Sequence, residues 1–242
     1  MYHYLLRTAV LLFLSATVLI SGCKDGVNIF TVEDDIELGK QLEQEILNNP
    51  QEYPVMQRGQ HPEAYAYLDA MVNDVLNSGE VRYRNEFEWN VYLINQDVLN
   101  AFCAPGGYIF VYSGLVKYLD RPSALAGVIG HEIAHADQRH STEQMTKVYG
   151  LQTLLSLVTG NEDPSMISQI ATGLVSLKFS RNNETEADEW SVRYLCPTDY
   201  DGAGAAQFFQ KLEDEGNASP PEFLSTHPSP DNRIENINGE AT

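Results

Sequence analysis

His131-Glu132-Ile133-Ala134-His135 places two imidazoles four residues apart, with a carboxylate between them. On a helix, residues i and i+4 lie on one face, one turn apart, so both rings can hold one metal ion. Glu132 sits about 100° to the side. It is poorly placed to join the histidines as a ligand, yet it can reach a water beside the metal. Metal-assisted hydrolysis of a peptide bond needs that arrangement. The plain alternative is an amphipathic helix with two surface histidines, and the flanks argue against it. Ser123 to Gly130 reads SALAGVIG, without a charge, so the helix is expected to begin buried. Pro122 suits its first position, after Asp120 or Arg121. Gly127 and Gly130 each cost about 1 kcal/mol of helix stability against Ala, and they let another backbone pack close. Buried imidazoles and a carboxylate left without partners would cost several kcal/mol, a problem that a metal removes.

A hydrolytic zinc site usually has three protein ligands and one open position. The third is expected from the segment Ser180 to Trp190, SRNNETEADEW, whose Glu184 lies 49 residues after His135. Read as a helix capped by Asn182 or Asn183, its one face carries Glu184, Ala187, Asp188, Ser191 and Leu195. The opposite face carries Glu186, Glu189 and Arg193 and reads as solvated. Acids at a helix start suit its dipole, which explains Glu186 and Glu189 but less well the two inward carboxylates. Glu184 is therefore the candidate third ligand. Asp188, one turn on, would accept a proton from the far nitrogen of a ligand histidine and fix its tautomer. His3 in the leader, His61 and His140 receive no metal role. His140 is read as the end of the HExxH helix, where a cation suits the dipole.

HEIAHADQRH, FSRNNETEAD and STHPSPDNR, in that order, resemble the zinc metallopeptidases that include the CAAX prenyl protease, HtpX and the periplasmic BepA and LoiP. The resemblance runs from about Asn100 to Arg233. It implies a zincin-like (gluzincin) fold and one Zn2+ per chain at His131, His135 and Glu184, with Glu132 as general base. It implies that His227 of the His-Pro pair lies near the metal, positioned by Arg233. His227 would either donate to the developing oxyanion or occupy the fourth zinc position and hold the enzyme latent. The stretch Asn100 to Gly114 resembles the family's strand at the cleft edge. A substrate would add to it as a further strand, with Asn100 and Ala101 on its backbone; a plain hairpin is the alternative.

The first 22 residues read as a targeting segment. Arg7 precedes a nearly apolar run from Ala9 to Ile20, too short for a confident membrane span, which ends Leu19-Ile20-Ser21-Gly22-Cys23. Small residues before a cysteine look like a bacterial lipobox, so cleavage before Cys23 and its lipidation are expected. Lys24, rather than Asp, follows. By resemblance to sorted lipoproteins this points to the periplasmic side of the outer membrane, with the chain anchored through lipid alone. The partners expected are protein or peptide substrates, of the envelope by the same resemblance. A formal net charge of −19 argues against nucleic acid.

Residues 23–242 suit one α+β domain, mainly helical, with a small sheet over the active-site helix. Val32 to Asn49 and Pro62 to Asn77 read as amphipathic helices; Phe87 to Ile94 and Leu99 to Val111 supply the strands. Tyr149 to Gly160 and Pro164 to Phe179 read as a low-charge helical pair, either core or an apolar lid. Cys103 and Cys196 are candidates for a disulfide, with two buried free thiols as the alternative.

Overall fold

A computed structural model describes residues 30–161, 164–216 and 221–242. The leader and Cys23 lie outside the described residues. Helix α1 (Val32–Leu47) starts at a capping box: the Thr31 hydroxyl accepts from Asp34 N–H and the Asp34 carboxylate accepts from Thr31 N–H. Helix α2 (Pro62–Leu76) has Pro62 in its first turn. Three strands follow: β1 (Asn90–Ile94), β2 (Ala101–Ala104) and β3 (Tyr108–Tyr112). The sheet order is β1-β3-β2, with β1 parallel and β2 antiparallel to β3. A 3-10 turn over Pro105–Gly107 joins β2 to β3, with Gly106 at φ 75° and Gly107 at φ 94°. Only glycine takes such angles freely.

Side chains on a strand alternate between two faces, and here both faces are covered. Ala101, Cys103, Ile109 and Val111 point into one apolar core. Phe102, Ala104, Tyr108, Phe110 and Tyr112 point into another. The first core holds α2 and the helix of the HExxH motif, α4 (Pro122–Asp137), which follows the short α3 (Ser113–Tyr118). The second holds α1 together with α6 (Leu151–Val158) and α7 (Pro164–Leu174). The low-charge helical pair thus packs its apolar side, with Leu154, Leu157, Ile170, Ala171 and Leu174 buried, against the sheet face that turns away from α4.

Every residue of α4 from Ala124 to Asp137 is buried. Its glycines show why. A Cβ on Gly127 would stand 2.0 Å from Ala205 N in α9 (Gly204–Glu215). A Cβ on Gly130 would stand 2.9 Å from Ser191 Oγ in α8 (Arg181–Leu195), and that hydroxyl donates to Gly127 O. The cap of α8 is Ser180, in a capping box with Asn183, rather than Asn182 or Asn183 itself. The hydroxyl of Ser180 accepts from the Asn183 N–H three residues on, and the expected boundary moves by two to three residues.

The HExxH helix ends at Asp137 and not at His140. Arg139 turns left-handed, at φ 62°, and His140 begins α5 (His140–Tyr149). The Arg139 guanidinium holds Asp35 and the carbonyls of Phe30 and Thr31, tying α1 to this corner. The chain closes with the short α10 (Glu222–Thr226) and α11 (Arg233–Glu240), the latter entered through Asn232 at φ 57°. Among the described residues no helix is long and apolar enough to cross a membrane.

Cys103 and Cys196 do not pair; both are free. Cys103 is buried on β2, with its thiol donating to Ala104 O. Cys196 is exposed at the far end of α8. Twelve residues of helix from Glu184 carry it roughly 18 Å away from the site.

Candidate metal centre

Helix α4 presents His131 and His135, α8 presents Glu184, and the turn after α10 presents His227. One donor atom from each of the four lies within 4.8 Å of the others. His131 Nε2 is 3.0 Å from His135 Nε2 and 3.3 Å from His227 Nδ1. Glu184 Oε1 is 3.1 Å from His227 Nδ1 and 3.4 Å from His135 Nε2, and its Oε2 is 3.4 Å from His131 Nε2. Donors about 2.1 Å from a tetrahedral zinc ion stand roughly 3.4 Å apart, so these edges describe a cage of the right size. Nitrogen and carboxylate donors suit zinc as well. None of the four is more than 1% exposed.

The electrostatics favour ligation. Burial opposes charge on Glu184, but His227, His131 and His135 outweigh it and hold its carboxyl well below the usual range. Burial holds His135 well below the usual histidine range, so its ring is neutral. His131 is different: burial pulls it down, but Asp188 and Glu184 outweigh this and hold it up at about 9. A metal held there would need that ring neutral.

Glu132 is buried beside the cage, and neither of its oxygens has a hydrogen-bond partner. His227 Nε2 stands 3.4 Å from its Oε1. Burial raises its carboxyl above the ordinary range. A base that takes a proton and returns it benefits from such a shift.

The support around the ligands is built largely from the expected residues. Asp188 Oδ1 stands 2.9 Å from His131 Nδ1. Arg233 grips Asp188 with two bonds, of 2.7 and 2.8 Å, and donates to Glu184 Oε2 at 3.0 Å. Its hold on His227 is through the backbone carbonyl, at 3.5 Å. Two phenyl rings fix the imidazoles: Phe179 stacks on His135 at 3.9 Å and Phe223 on His227 at 4.2 Å between centroids. Neither was expected, and nothing in the local pattern around them marks them.

His140 also lies at the site, unlike the sequence reading: its Nδ1 is 3.0 Å from His135 Nδ1 and its Nε2 is 3.3 Å from Glu186 Oε2. Asn100 and Ala101 sit at the start of the edge strand β2 but are not open to a partner. Both are fully buried. Ala101 N–H donates to Asn100 Oδ1, and Phe223 N–H has taken Leu99 O. The Asn100 side-chain nitrogen is buried without a partner.

Residues 62–241 match peptidase family M48, which spans the sheet, the cage and its supports. The chain is 35% identical over 141 residues to the mitochondrial metalloendopeptidase OMA1 of Arabidopsis thaliana, covering 58% of this chain and 29% of the relative. It is 32% identical over 190 residues to the beta-barrel assembly-enhancing protease of Yersinia pestis, covering 72% of this chain and 38% of the relative. It is 31% identical over 183 residues to the OMA1 metalloendopeptidase of Saccharomyces cerevisiae, covering 71% and 50%. The chain thus spans between 29% and 50% of the length of these relatives. With most of its length inside the family match, including the HExxH helix and the buried carboxylate that completes the cage, the chain belongs to peptidase family M48.

Proposed function

We propose that this chain is a zinc metalloendopeptidase acting on envelope proteins that are misfolded or misassembled, anchored by lipid on Cys23 at the periplasmic side of the outer membrane. One observation carries the peptidase reading: Glu132 is a buried carboxylate with no donor on either oxygen, beside a cluster of four buried metal donors. The envelope task draws on the name of the beta-barrel assembly-enhancing relatives. The anchoring draws on the lipobox-like residues Leu19 to Cys23.

His131, His135 and Glu184 would hold the ion, which when bound polarises a scissile carbonyl and lowers the pKa of a water. Glu132 takes a proton from the attacking water and gives it to the leaving amine. Asp188 holds His131 from behind, and Arg233 neutralises the charge that Asp188 and Glu184 bring into the core. Glu132→Gln should keep the fold and one zinc per chain but lose about 10²- to 10⁴-fold in hydrolysis of an unfolded protein. Wild-type cleavage by that variant would sink the mechanism.

A second reading rests on His227. Its Nδ1 stands at the fourth corner of the cage, 3.3 Å from His131 Nε2, and the whole cage is shut off from solvent. Catalytic zinc sites keep one position open. On this reading the present form is latched, and the protein serves chiefly as a chaperone-like assembly factor. Cleavage of unfolded protein by His227→Ala decides: a large gain supports a latch, whereas a loss assigns His227 to the developing oxyanion.

A further inference from the structure

We infer that His140, backed by Glu186, is the positioning residue of the ligand His135, setting the tautomer of that ring and with it the strength of the metal centre. The inference rests on the zinc reading above. For His135 to ligate through Nε2 as a neutral ring, its proton must sit on Nδ1. That nitrogen faces His140 Nδ1 at 3.0 Å. The contact is satisfied when His140 Nδ1 is the acceptor, which places the proton of His140 on Nε2. There it meets Glu186 Oε2 at 3.3 Å. One carboxylate therefore fixes two rings in series.

The surroundings hold this chain in place. His140 is only 3% exposed, and its ring meets His135 edge-on, 5.1 Å between centroids. Its helix is pinned two residues on, where Thr142 donates to the buried Asp35. The two ligand histidines are thus supported unequally. His131 leans on a buried carboxylate, Asp188, that is itself clamped by Arg233. His135 leans on a second imidazole whose carboxylate partner has 48% of its side chain exposed. Support of this kind from behind a ligand is worth about 10- to 100-fold in metal affinity.

The test uses the full chain stripped of metal and titrated with zinc against a chromophoric chelator. His140→Leu fills the space without an acceptor and should bind zinc about 10- to 100-fold more weakly than wild type. His140→Gln offers a carboxamide oxygen to the same proton and should stay within about threefold of wild type. In the zinc-loaded protein, the His135 Nδ1–H resonance should be visible by 15N NMR in wild type and His140→Gln and lost to exchange in His140→Leu. Wild-type affinity in His140→Leu, or equal weakening by Leu and Gln, would overturn the inference. If His140→Leu does not fold, Glu186→Ala on the exposed helix surface replaces it, and unchanged zinc affinity there would overturn it too. Failure of the wild-type chain to take up one zinc would instead remove the metal-site reading itself.

Discussion

Arg233 is where the buried charges of the site converge. Its guanidinium forks onto Asp188, reaches Glu184 and lies over the Phe209 ring at 4.0 Å, while only 3% of the residue is exposed. Arg233→Met would leave two buried carboxylates without their cation. Chemical denaturation of the metal-free protein should show a loss of about 3–5 kcal/mol. Saturating zinc should recover part of it, because the ion brings positive charge next to Glu184. The thiols offer a second check at this scale. In the folded chain a maleimide should label Cys196 and spare Cys103, whose thiol burial pushes up, and label both after denaturation. Rapid native labelling of Cys103 would contradict its place under the sheet. The meeting of His131, His135 and Glu184 beside Glu132 and Asp188 is legible in helical spacing and motif order. His140 is not. An arginine in the left-handed region has no signature in sequence, so the helical pattern runs straight through Arg139 and places His140 at the helix end. Glu186 was lost with it, since its partner was expected elsewhere.

The helices bring these residues together by backbone contact rather than by large side chains. Where α4 crosses α9, a Cβ on Gly127 would lie 2.0 Å from Ala205 N and 2.4 Å from Gly204 C. Both are backbone atoms and neither can swing aside. Gly127→Ala gains about 1 kcal/mol of helix propensity but forces the helices apart, at a cost of about 1–3 kcal/mol or more. A lower melting temperature is therefore expected, and a rise would argue that the crossing is looser than described. At the start of α8, Ser180→Ala should cost about 0.5–2 kcal/mol in the same measurement. The two glycines of α4 and the inward face of α8 could be read in advance, because small residues and 3.6-residue periodicity report packing. The cap could not be placed to the residue, since Ser180, Asn182 and Asn183 all suit that role.

At the scale of the molecule, the sheet has an apolar core on either side, and β3 is buried along its whole length. The stretches Phe87 to Ile94 and Leu99 to Val111 mark the strands and amphipathic spacing marks α1, but α6 and α7 of the second layer show only as a low-charge stretch with two explanations. Cores of this extent stand without a metal. Chelation should abolish peptidase activity and lower the melting temperature, since zinc binds the folded state alone. The far-UV helical signal should survive at room temperature. Collapse of that signal on chelation would mark the zinc as structural.

Arg139 and Asn232 are the two described non-glycine residues with positive φ, and each stands immediately before a residue that supports the cage: His140 in one case, Arg233 in the other. An L-residue in the left-handed region carries roughly 1–2 kcal/mol of strain, less for asparagine. The molecule therefore stores conformational tension at both hinges that aim its ligand supports. Relaxing one of them, as Asn232→Gly would, should raise global stability slightly while letting Arg233 wander, so that thermal resistance and zinc affinity move in opposite directions.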